Sequence, residues 1–318
     1  MTHYILPPGK TYGKGDGSSK TNAWSGFDNV VWKNIKPGDI IYILGQYYSK
    51  NSKFLPITIK CSGIKGAPIT IISGPTDPVV FDHHYLSFDN CSYLLFSGLT
   101  LQNSGQIQAD NATNITFDKC IMTKLDPSAI VFIELHKGNH DWVIKNGLIE
   151  FCGNAIYTHI NLGDPPQRLT VSNMILRHIA VDKWLTEDGH AVGIQGGSGH
   201  IINGNKITDV GTAICCWCPA STIMNNLSIT HNIISNCRAL EVSMGSGIEI
   251  SGSVDIKNNL PNVGWRSGSV ISNNNINNVA CYGISTNVRD PVCIKDNIIT
   301  HYGKTAIHVW NPFLNKII

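Results

Sequence analysis

Tyr157 and His159 stand two residues apart in a run in which apolar and polar residues alternate. In a β-strand this spacing puts both side chains on one face. An imidazole can accept a proton near neutral pH and a phenol can donate one, so the pair has the groups that base and acid catalysis require. Gln195 or His190, in the next run of this kind, could face a developing negative charge. The alternative is that these side chains only decorate an exposed sheet.

Acidic residues in the same region offer a second chemistry. Hydrolysis of a glycosidic bond uses two carboxyl groups, and Asp188 or Glu187 could be paired with Glu249. If the two lie two strands apart, they are separated by roughly 9.6 Å, near the upper limit for an inverting mechanism. Glu134 and Glu249 are expected four strands apart, about 19 Å, which is too far for such a pair.

Metal binding is a third possibility for these residue types. His136, His159, His190 and Glu134 could hold a transition metal, because imidazoles and a carboxylate on neighbouring strands can converge. The Cys-x-x-Cys spacing that begins at Cys215 has no second pair nearby and gives only a weak zinc signal. We therefore predict no cofactor, and a divalent metal stays open.

The elements that must position these residues repeat along the chain. Residues 187–207 contain an alternating run, a glycine-rich corner, a second apolar run and then Asn205-Lys206-Ile207. The position of Asn205, three residues after one apolar residue and two before another, recurs about every 20 to 40 residues, which predicts stacked coils of short strands. Each amide can then bond its copy in the next coil. The residues in this position are Ser97, Asp118, Asn146, Asn173, Asn205, Asn232, Asn274 and Asn297, although Thr170 stands where the apolar residue before Asn173 is expected.

One wall of the predicted coil collects the chemistry-bearing side chains. Aligning the strands that follow each bend places one apolar residue of each strand inside: Ile156, Val192, Ile214, Ile248, Ile284 and Ile307. Side chains alternate along a strand, so their neighbours point outward. The predicted outward set includes Glu134, His136, Tyr157, His159, Gln195, Trp217, Glu249, His308 and Trp310. Lys183 lies on a longer connection that flanks this wall, where long loops commonly border a binding face.

Several features carry a resemblance to a known family. They are the opening Gly15-Asp16-Gly17-Ser18-Ser19, the run 37–43, the Asn-x-Ile frame, and the Gly-Ile or Ala-Ile entries to the next strand. With them the chain resembles the right-handed parallel β-helix (pectate-lyase-like) superfamily from about Gly38 onward. The resemblance implies an all-β, single-stranded right-handed parallel β-helix, or solenoid. We expect residues 1–37 to form an N-terminal cap and residues 38–318 the β-helix domain.

The resemblance also implies a polysaccharide partner, because most characterised enzymes of that superfamily cleave or epimerise polysaccharides and other members are viral adhesion proteins. For a uronate polymer, β-elimination would use His159 as base, Tyr157 as acid, and Gln195 or His190 against the carboxylate. Hydrolysis by Asp188 and Glu249, or binding without catalysis, are the alternatives. The residues expected to contact the sugar chain are Glu134, His136, Lys183, Gln195, Trp217, His308 and Trp310.

The sequence lacks some motifs of the superfamily, and their absence restricts the catalytic mechanism that we expect. Calcium-dependent lyases of the superfamily place acidic clusters and a Lys or Arg base on the outward row, and the predicted row has neither. Gly189-His190-Ala191 only half matches the Gly-His-Gly motif of the polygalacturonase type. The sequence therefore favours elimination without a metal, with the indole rings of Trp217 and Trp310 suited to stacking on sugar faces.

The amino-acid composition argues against nucleic-acid and membrane partners. The formal net charge is +2 and 14% of residues are charged, which predicts no nucleic-acid partner. No run of 18 apolar residues occurs, which predicts no membrane partner. Residues 1–7 lack the pattern of a secretion signal, so an extracellular protein whose leader was removed and a phage-encoded or intracellular product both stay open. The ten scattered cysteines are expected to be mostly free, buried thiols.

Overall fold

The computed structural model describes residues 1–49, 54–75, 78–136, 138–160, 164–184, 188–219, 222–240, 245–252, 268–288, 291–309 and 316–317. The chain coils through three parallel sheets in turn. One coil runs through Val143–Lys145, Leu148–Cys152 and Asn154–Thr158 and then re-enters the first sheet at Thr170–Ser172. The predicted all-β solenoid is therefore confirmed.

The three sheets contain thirteen, ten and seven strands within the described residues. In spatial order, the first sheet consists of Trp24–Ser25, Thr2–Leu6, Ile40–Ile43, Ile69–Ser73, Ser92–Ser97, Thr113–Asp118, Val143–Lys145, Thr170–Ser172, Ile201–Asn203, Ser228–Thr230, Ser269–Ser272, Val292–Lys295 and Lys316–Ile317. The second consists of Gln46–Tyr48, Val80–Asp82, Thr100–Gln102, Ile121–Thr123, Leu148–Cys152, Ile175–Ile179, Lys206–Val210, Ile233–Cys237, Asn275–Val279 and Ile298–Tyr302. The third consists of Val131–Leu135, Asn154–Thr158, Val192–Gln195, Ile214–Cys218, Ile248–Gly252, Tyr282–Asn287 and Thr305–Val309.

Short elements complete the described part of the chain. Two small parallel pairs join Leu55–Thr58 to His84–Ser87 and Gly197–Ser198 to Met224–Asn225. Isolated bridges from Ser87 to Gln108 and from Ile107 to Ile133 carry the wall of the third sheet toward the N-terminus. The 3-10 helices within the described ranges are Phe27–Asn29, Trp32–Asn34 and Asp182–Trp184. No helix of the described residues has the length and apolarity that crossing a membrane requires.

The interior is filled by columns of apolar residues from all three sheets. The predicted inward residues of the third sheet, from Ile156 to Ile284, are buried, and Ile307 is partly buried against the same core. Toward the N-terminal end the core is aromatic, and the Phe96 and Phe117 rings lie 4.8 Å apart and contact Phe88 and Trp142. Burying one such side chain contributes about 1.5–3 kcal/mol, so these columns hold successive coils together.

The predicted ladder of amide hydrogen bonds forms between the last four residues of the predicted set, Asn205 to Asn297. The Nδ2 group of Asn205 donates to Oδ1 of Asn232, which repeats the bond to Asn274, and Asn274 repeats it to Asn297, each at 2.9 Å. Each of the three acceptor oxygens also receives the backbone N–H of the preceding ladder residue. The ladder therefore satisfies polar groups that the coil would otherwise bury.

In the earlier coils one predicted bond forms, from Nδ2 of Asn146 to Oδ1 of Asp118 at 2.8 Å, but this pair is exposed and the buried ladder does not continue. The register pairs Ile175 with Lys206 and Leu148 with Ile175, so the residue in the slot of Asn205 is Met174, and one coil earlier Gly147. Asn173 and Asn146 therefore stand one residue before the slot, and Ser97 and Asp118 stand two before it. Asn146 and Asn173 have φ values of 57° and 53°, a left-handed conformation that Asn tolerates well, so they serve the bend and lie outside the buried ladder.

The cysteine prediction is confirmed. All ten cysteines are free, and only Cys215 and Cys293 are not fully buried. Burial raises the pKa of the Cys120 thiol to about 12, which keeps it uncharged and unreactive at neutral pH. These cysteines act as small apolar core residues.

The N-terminal segment enters the solenoid earlier than expected. Thr2–Leu6 pairs in parallel with Ile40–Ile43, so it is itself a strand of the first sheet. Trp24 is buried against the core and stacks on His3. The sequence pattern missed this strand because only six residues precede the proline pair 7–8. A boundary near residue 37 stays a prediction.

Candidate active site

The outward face of the third sheet carries the residues singled out from sequence. Glu134 lies beside Tyr157, which lies beside Gly193 on the next strand. The same row continues through Cys215 to Glu249. The predicted outward direction of Glu134 is therefore confirmed. Because side chains alternate between the two faces of a strand, residues that are far apart in sequence lie together on the outward face of this sheet.

Several predicted residues lie away from the first three strands of this wall. His308 is on the seventh strand, about 29 Å from Glu134 by strand spacing, and its ring stacks on Tyr282 at 4.6 Å. Trp217 lies beside Gln195 on the next strand. Lys183 has its ammonium 4.6 Å from the ring of Trp184. Glu187 and Trp310 lie outside the described residues.

A cavity opens over the first strands of the wall. It has a volume of about 360 Å³, and Glu134, Tyr157, His159 and Asp188 line it. A second cavity of about 540 Å³ adjoins it on the N-terminal side, and Gln106 and Glu134 line both. Together they form a groove that crosses the strands, which suits a chain-like ligand lying along the axis of the coil.

Tyr157 is held from several directions. Its hydroxyl accepts a hydrogen bond from Nε2 of Gln195 at 2.8 Å. Its ring stacks on His190, with centroids 6.0 Å apart and planes 4° from parallel, and covers Gly193. Burial, and then the neighbouring Cys215 and Asp188, raise the pKa of Tyr157 well above its usual value of 10. The phenol therefore stays protonated at neutral pH and can donate.

His159 lies on the same strand face, with its ring centroid 6.1 Å from that of Tyr157 and 5.8 Å from that of His136. Burial lowers the pKa of His159 below 6.5, and the carboxylate of Glu134 partly offsets this. Its Nδ1 is shielded from solvent, which leaves Nε2 as the nitrogen open to a ligand. His159 is therefore neutral at pH 7 and can accept a proton.

Glu134 is the carboxylate at the junction of the two cavities. Its Oε2 accepts a hydrogen bond from Nε2 of Gln106 and lies 3.4 Å from Nε2 of His136. The Glu134 side chain is 20% exposed, so solvent screens this pair only in part. Glu134 therefore sets the local charge that both histidines face.

Of the two residues predicted to form a carboxyl pair, Asp188 lines this cavity and Glu249 does not. Asp188 lines it together with Glu134, whereas Glu249 is two strands beyond Tyr157's neighbour Gly193 and is not among the lining residues. Burial raises the pKa of Glu249. The pairing of Asp188 with Glu249 stays a prediction, and Asp188 faces the space that Glu134 also lines.

His190 is set behind the cavity. It is 8% exposed, its backbone N–H donates to Oδ1 of Asn154 at 2.6 Å, and burial lowers its side-chain pKa to about 4. It therefore carries no positive charge at neutral pH. Within the described residues, no group of three or more His, Cys, Asp or Glu is arranged to hold a metal ion, so the grouping of His190 with His136, His159 and Glu134 is not supported.

Three site residues escaped the sequence analysis. Gln106 lies in a segment without a strand pattern, so nothing predicted that it would reach Glu134. Asn154 opens the strand of Tyr157 and was read only as the residue before the apolar run. Gly193 lies in the outward row beside Tyr157, but a residue without a side chain gives no sign of its neighbour in the sequence.

Comparison with known proteins fits this architecture. A profile described as "Right handed beta helix region" matches residues 160–313. Solved structures match almost the whole chain, among them the alginate lyase from Paenibacillus sp. str. FPU-7, with a TM-score of 0.59 over 96% of this chain and 99% of that one. The chain is a right-handed parallel β-helix. The identity to that lyase is 15%, which establishes the β-helix fold and not the activity.

Other structures with the β-helix fold differ in activity. The GH136 lacto-N-biosidase from Eubacterium ramulus matches with a TM-score of 0.59 and 11% identity, over 99% of this chain and 67% of that one. A tailspike protein of Escherichia coli bacteriophage HK620 matches with a TM-score of 0.53 and 12% identity, over all of this chain and 58% of that one. A search of curated protein sequences finds no match. The β-helix therefore has to be assigned a function from its own site.

Proposed function

We propose that this β-helix cleaves a uronate-containing polysaccharide by β-elimination. One observation carries the proposal: Tyr157 and His159 line the same cavity with ring centroids 6.1 Å apart, and Gln195 holds the phenol at 2.8 Å. The pair supplies a base and an acid on one side of a bound sugar. The alginate lyase and lacto-N-biosidase that share the fold support a carbohydrate substrate by their names alone.

The proposed reaction moves two protons. Nε2 of neutral His159 removes the proton on C5, α to the carboxylate, and the electrons of that C–H bond form the C4=C5 double bond. The C4–O bond breaks, and the leaving oxygen takes the hydroxyl proton of Tyr157. The lowered pKa of His159 and the raised pKa of Tyr157 keep each group in the protonation state this step requires at neutral pH.

The substrate carboxylate needs a donor as negative charge develops on it. Gln195 uses one N–H on Tyr157 and has a second N–H, so it can hold the phenol and face the carboxylate together. His136, 36% exposed at the edge of the groove, can add a second donor. His190 is poorly placed for this role, because its ring is buried and stacks against Tyr157.

Hydrolysis is the second candidate, and one observation favours it: Glu134 and Asp188 line the same cavity. Two carboxylates suit a neutral sugar better than a uronate, which they repel. A hydrolase of this kind would use Glu134 and Asp188 as its acid and base, with the strand of Tyr157 between their chain segments. Elimination is preferred because it uses the two groups whose pKa shifts match their tasks.

The products of the reaction separate these candidates. We would incubate the protein with alginate, polygalacturonate and hyaluronate, and with a neutral glycan panel. Elimination creates an unsaturated uronate that absorbs in the ultraviolet, and hydrolysis creates reducing ends without that absorbance. Binding without either product would identify a carbohydrate-binding or adhesion protein and contradict both enzymatic assignments.

Variants then test the assigned groups. Tyr157→Phe and His159→Ala should each lower kcat about 100- to 10,000-fold, because each removes one proton-transfer group. Tyr302→Phe and His178→Ala are the matched controls, since these side chains lie on the second sheet and should leave kcat unchanged. Full activity in both test variants would rule out the proposed mechanism.

A further inference from the structure

Gly193 occupies the one position beside Tyr157 on the wall that has no side chain. It lies on the strand Val192–Gln195, directly between Tyr157 and Cys215 in the outward row. Its φ is not in the left-handed range, so its backbone conformation is one that any residue can adopt. The reason for a glycine here must therefore be the space around it.

The ring of Tyr157 fills that space. A Cβ added to Gly193 would meet Cδ2 and Cε2 of Tyr157 at 2.2 and 2.3 Å. Ordinary carbon contacts begin near 3.4 Å, so an alanine would force the ring to retreat by about 1.2 Å. The phenol lies flat on the neighbouring strand because that strand offers bare backbone.

The ring of Tyr157 cannot move away from Gly193 without losing a contact. His190 stacks on Tyr157, and the hydroxyl is fixed by the 2.8 Å bond from Gln195, whose side chain starts two residues after Gly193 on the same strand. A shift of about 1 Å would stretch that bond beyond hydrogen-bonding range or break the stack. The three residues therefore define one position for the phenol.

We infer that Gly193 is the positioning residue that sets the direction of the Tyr157 hydroxyl in the cavity. The packing part of this inference stands on the geometry alone, and its consequence for turnover rests on the function proposed above. Gly193 touches no reacting atom, and it acts by allowing the ring to approach the strand.

A double-mutant cycle in thermal unfolding tests the packing. Gly193→Ala should lower Tm by several degrees when Tyr157 is present. In a Tyr157→Ala background the same change should leave Tm equal or raise it, because alanine removes freedom from the unfolded chain and meets no ring. Equal effects in the two backgrounds would overturn the inference, whatever the activity of the variants.

Kinetics on alginate, with polygalacturonate as a second probe, test the consequence. Gly193→Ala should lower kcat about 100-fold with KM changed less than threefold, because the substrate still binds and the acid is misplaced. Coupling in Tm together with a fully active Tyr157→Phe would preserve the packing and remove the catalytic role of Tyr157. Coupling in Tm with unchanged kcat in Gly193→Ala would refute the positioning role itself.

Discussion

The side chain of Gln195 donates a hydrogen bond of 2.8 Å to the hydroxyl of Tyr157, although the two residues are 38 positions apart in the chain. The coil makes this contact possible, because it sets their two strands side by side. The donated bond leaves the phenol's own proton free to point into the cavity.

Removing this bond should weaken catalysis more than binding. Gln195→Ala is expected to lower kcat about 10- to 100-fold, because the phenol loses its fixed direction and the substrate carboxylate loses a donor. Steady-state kinetics on the polymer that is cut would measure this. Gln102→Ala is the matched control, since Gln102 bonds Asp82 on the second sheet. An unchanged kcat in Gln195→Ala would contradict the assigned role.

The pH dependence of kcat/KM should be set on its acid side by His159. Burial lowers the pKa of this base below 6.5, so activity should persist below pH 6.5 and fall only as the ring becomes protonated. On the basic side, the raised pKa of Tyr157 predicts no loss of the phenol proton up to pH 10. A pH–rate profile with its acid limb above 6.5 would speak against His159 as the base.

Glu134→Gln distinguishes the two enzymatic candidates. In elimination the variant stays active, and its acid limb moves to lower pH, because the carboxylate that raises the pKa of His159 is gone. In hydrolysis the variant loses a reacting carboxyl, and kcat should fall about 1,000-fold or more. Glu150→Gln is the control, since Glu150 pairs with Arg177 on the second sheet. Rates across pH 4 to 8 would decide.

The amide ladder predicts unequal effects of two similar substitutions. Asn232→Ala should lower the free energy of unfolding by about 3 kcal/mol, because it leaves buried partners in two neighbouring coils unsatisfied. Asn146→Ala should cost only about 1 kcal/mol, because Asn146 is exposed and serves a left-handed bend. Urea unfolding of both variants would measure the difference. The reverse order would show that the ladder slot has been misassigned.

Much of the fold was predictable because two of its determinants can be read from the sequence: the alternation of apolar residues in the strands and the Asn residues at the bends. Apolar residues recur at every second position in strands such as Val192–Gln195 and Ile248–Gly252, and extending this alternation to the other strands of the third sheet predicted that Glu134, Tyr157 and Gln195 face outward. The bends were less predictable, since Asn suits both a left-handed turn and a ladder. The sequence frame therefore could not separate Asn146 from Asn205.

The burial and the contacts of the candidate-site residues could not be predicted from the sequence. In the sequence, His190 and His159 are both histidines next to predicted strands, so nothing distinguishes their roles. Only the structure shows that His190 is buried and stacks on Tyr157. Gln106 comes from an irregular segment, and its approach to Glu134 depends on the stagger of two coils. A periodic pattern specifies which face a residue occupies, but not how far a loop or a ring extends over it.

The core changes character along the axis. Aromatic rings fill the coils up to Trp142, and the column of bonded amides begins at Asn205. Apolar contacts weaken on cooling, whereas buried amide bonds do not share that dependence, so the C-terminal coils add to the common apolar core a stabilising force with a different response to temperature. Tyr157 and His159 lie between these two regions, on the coil that contains Trp142 and ahead of the first amide of the ladder.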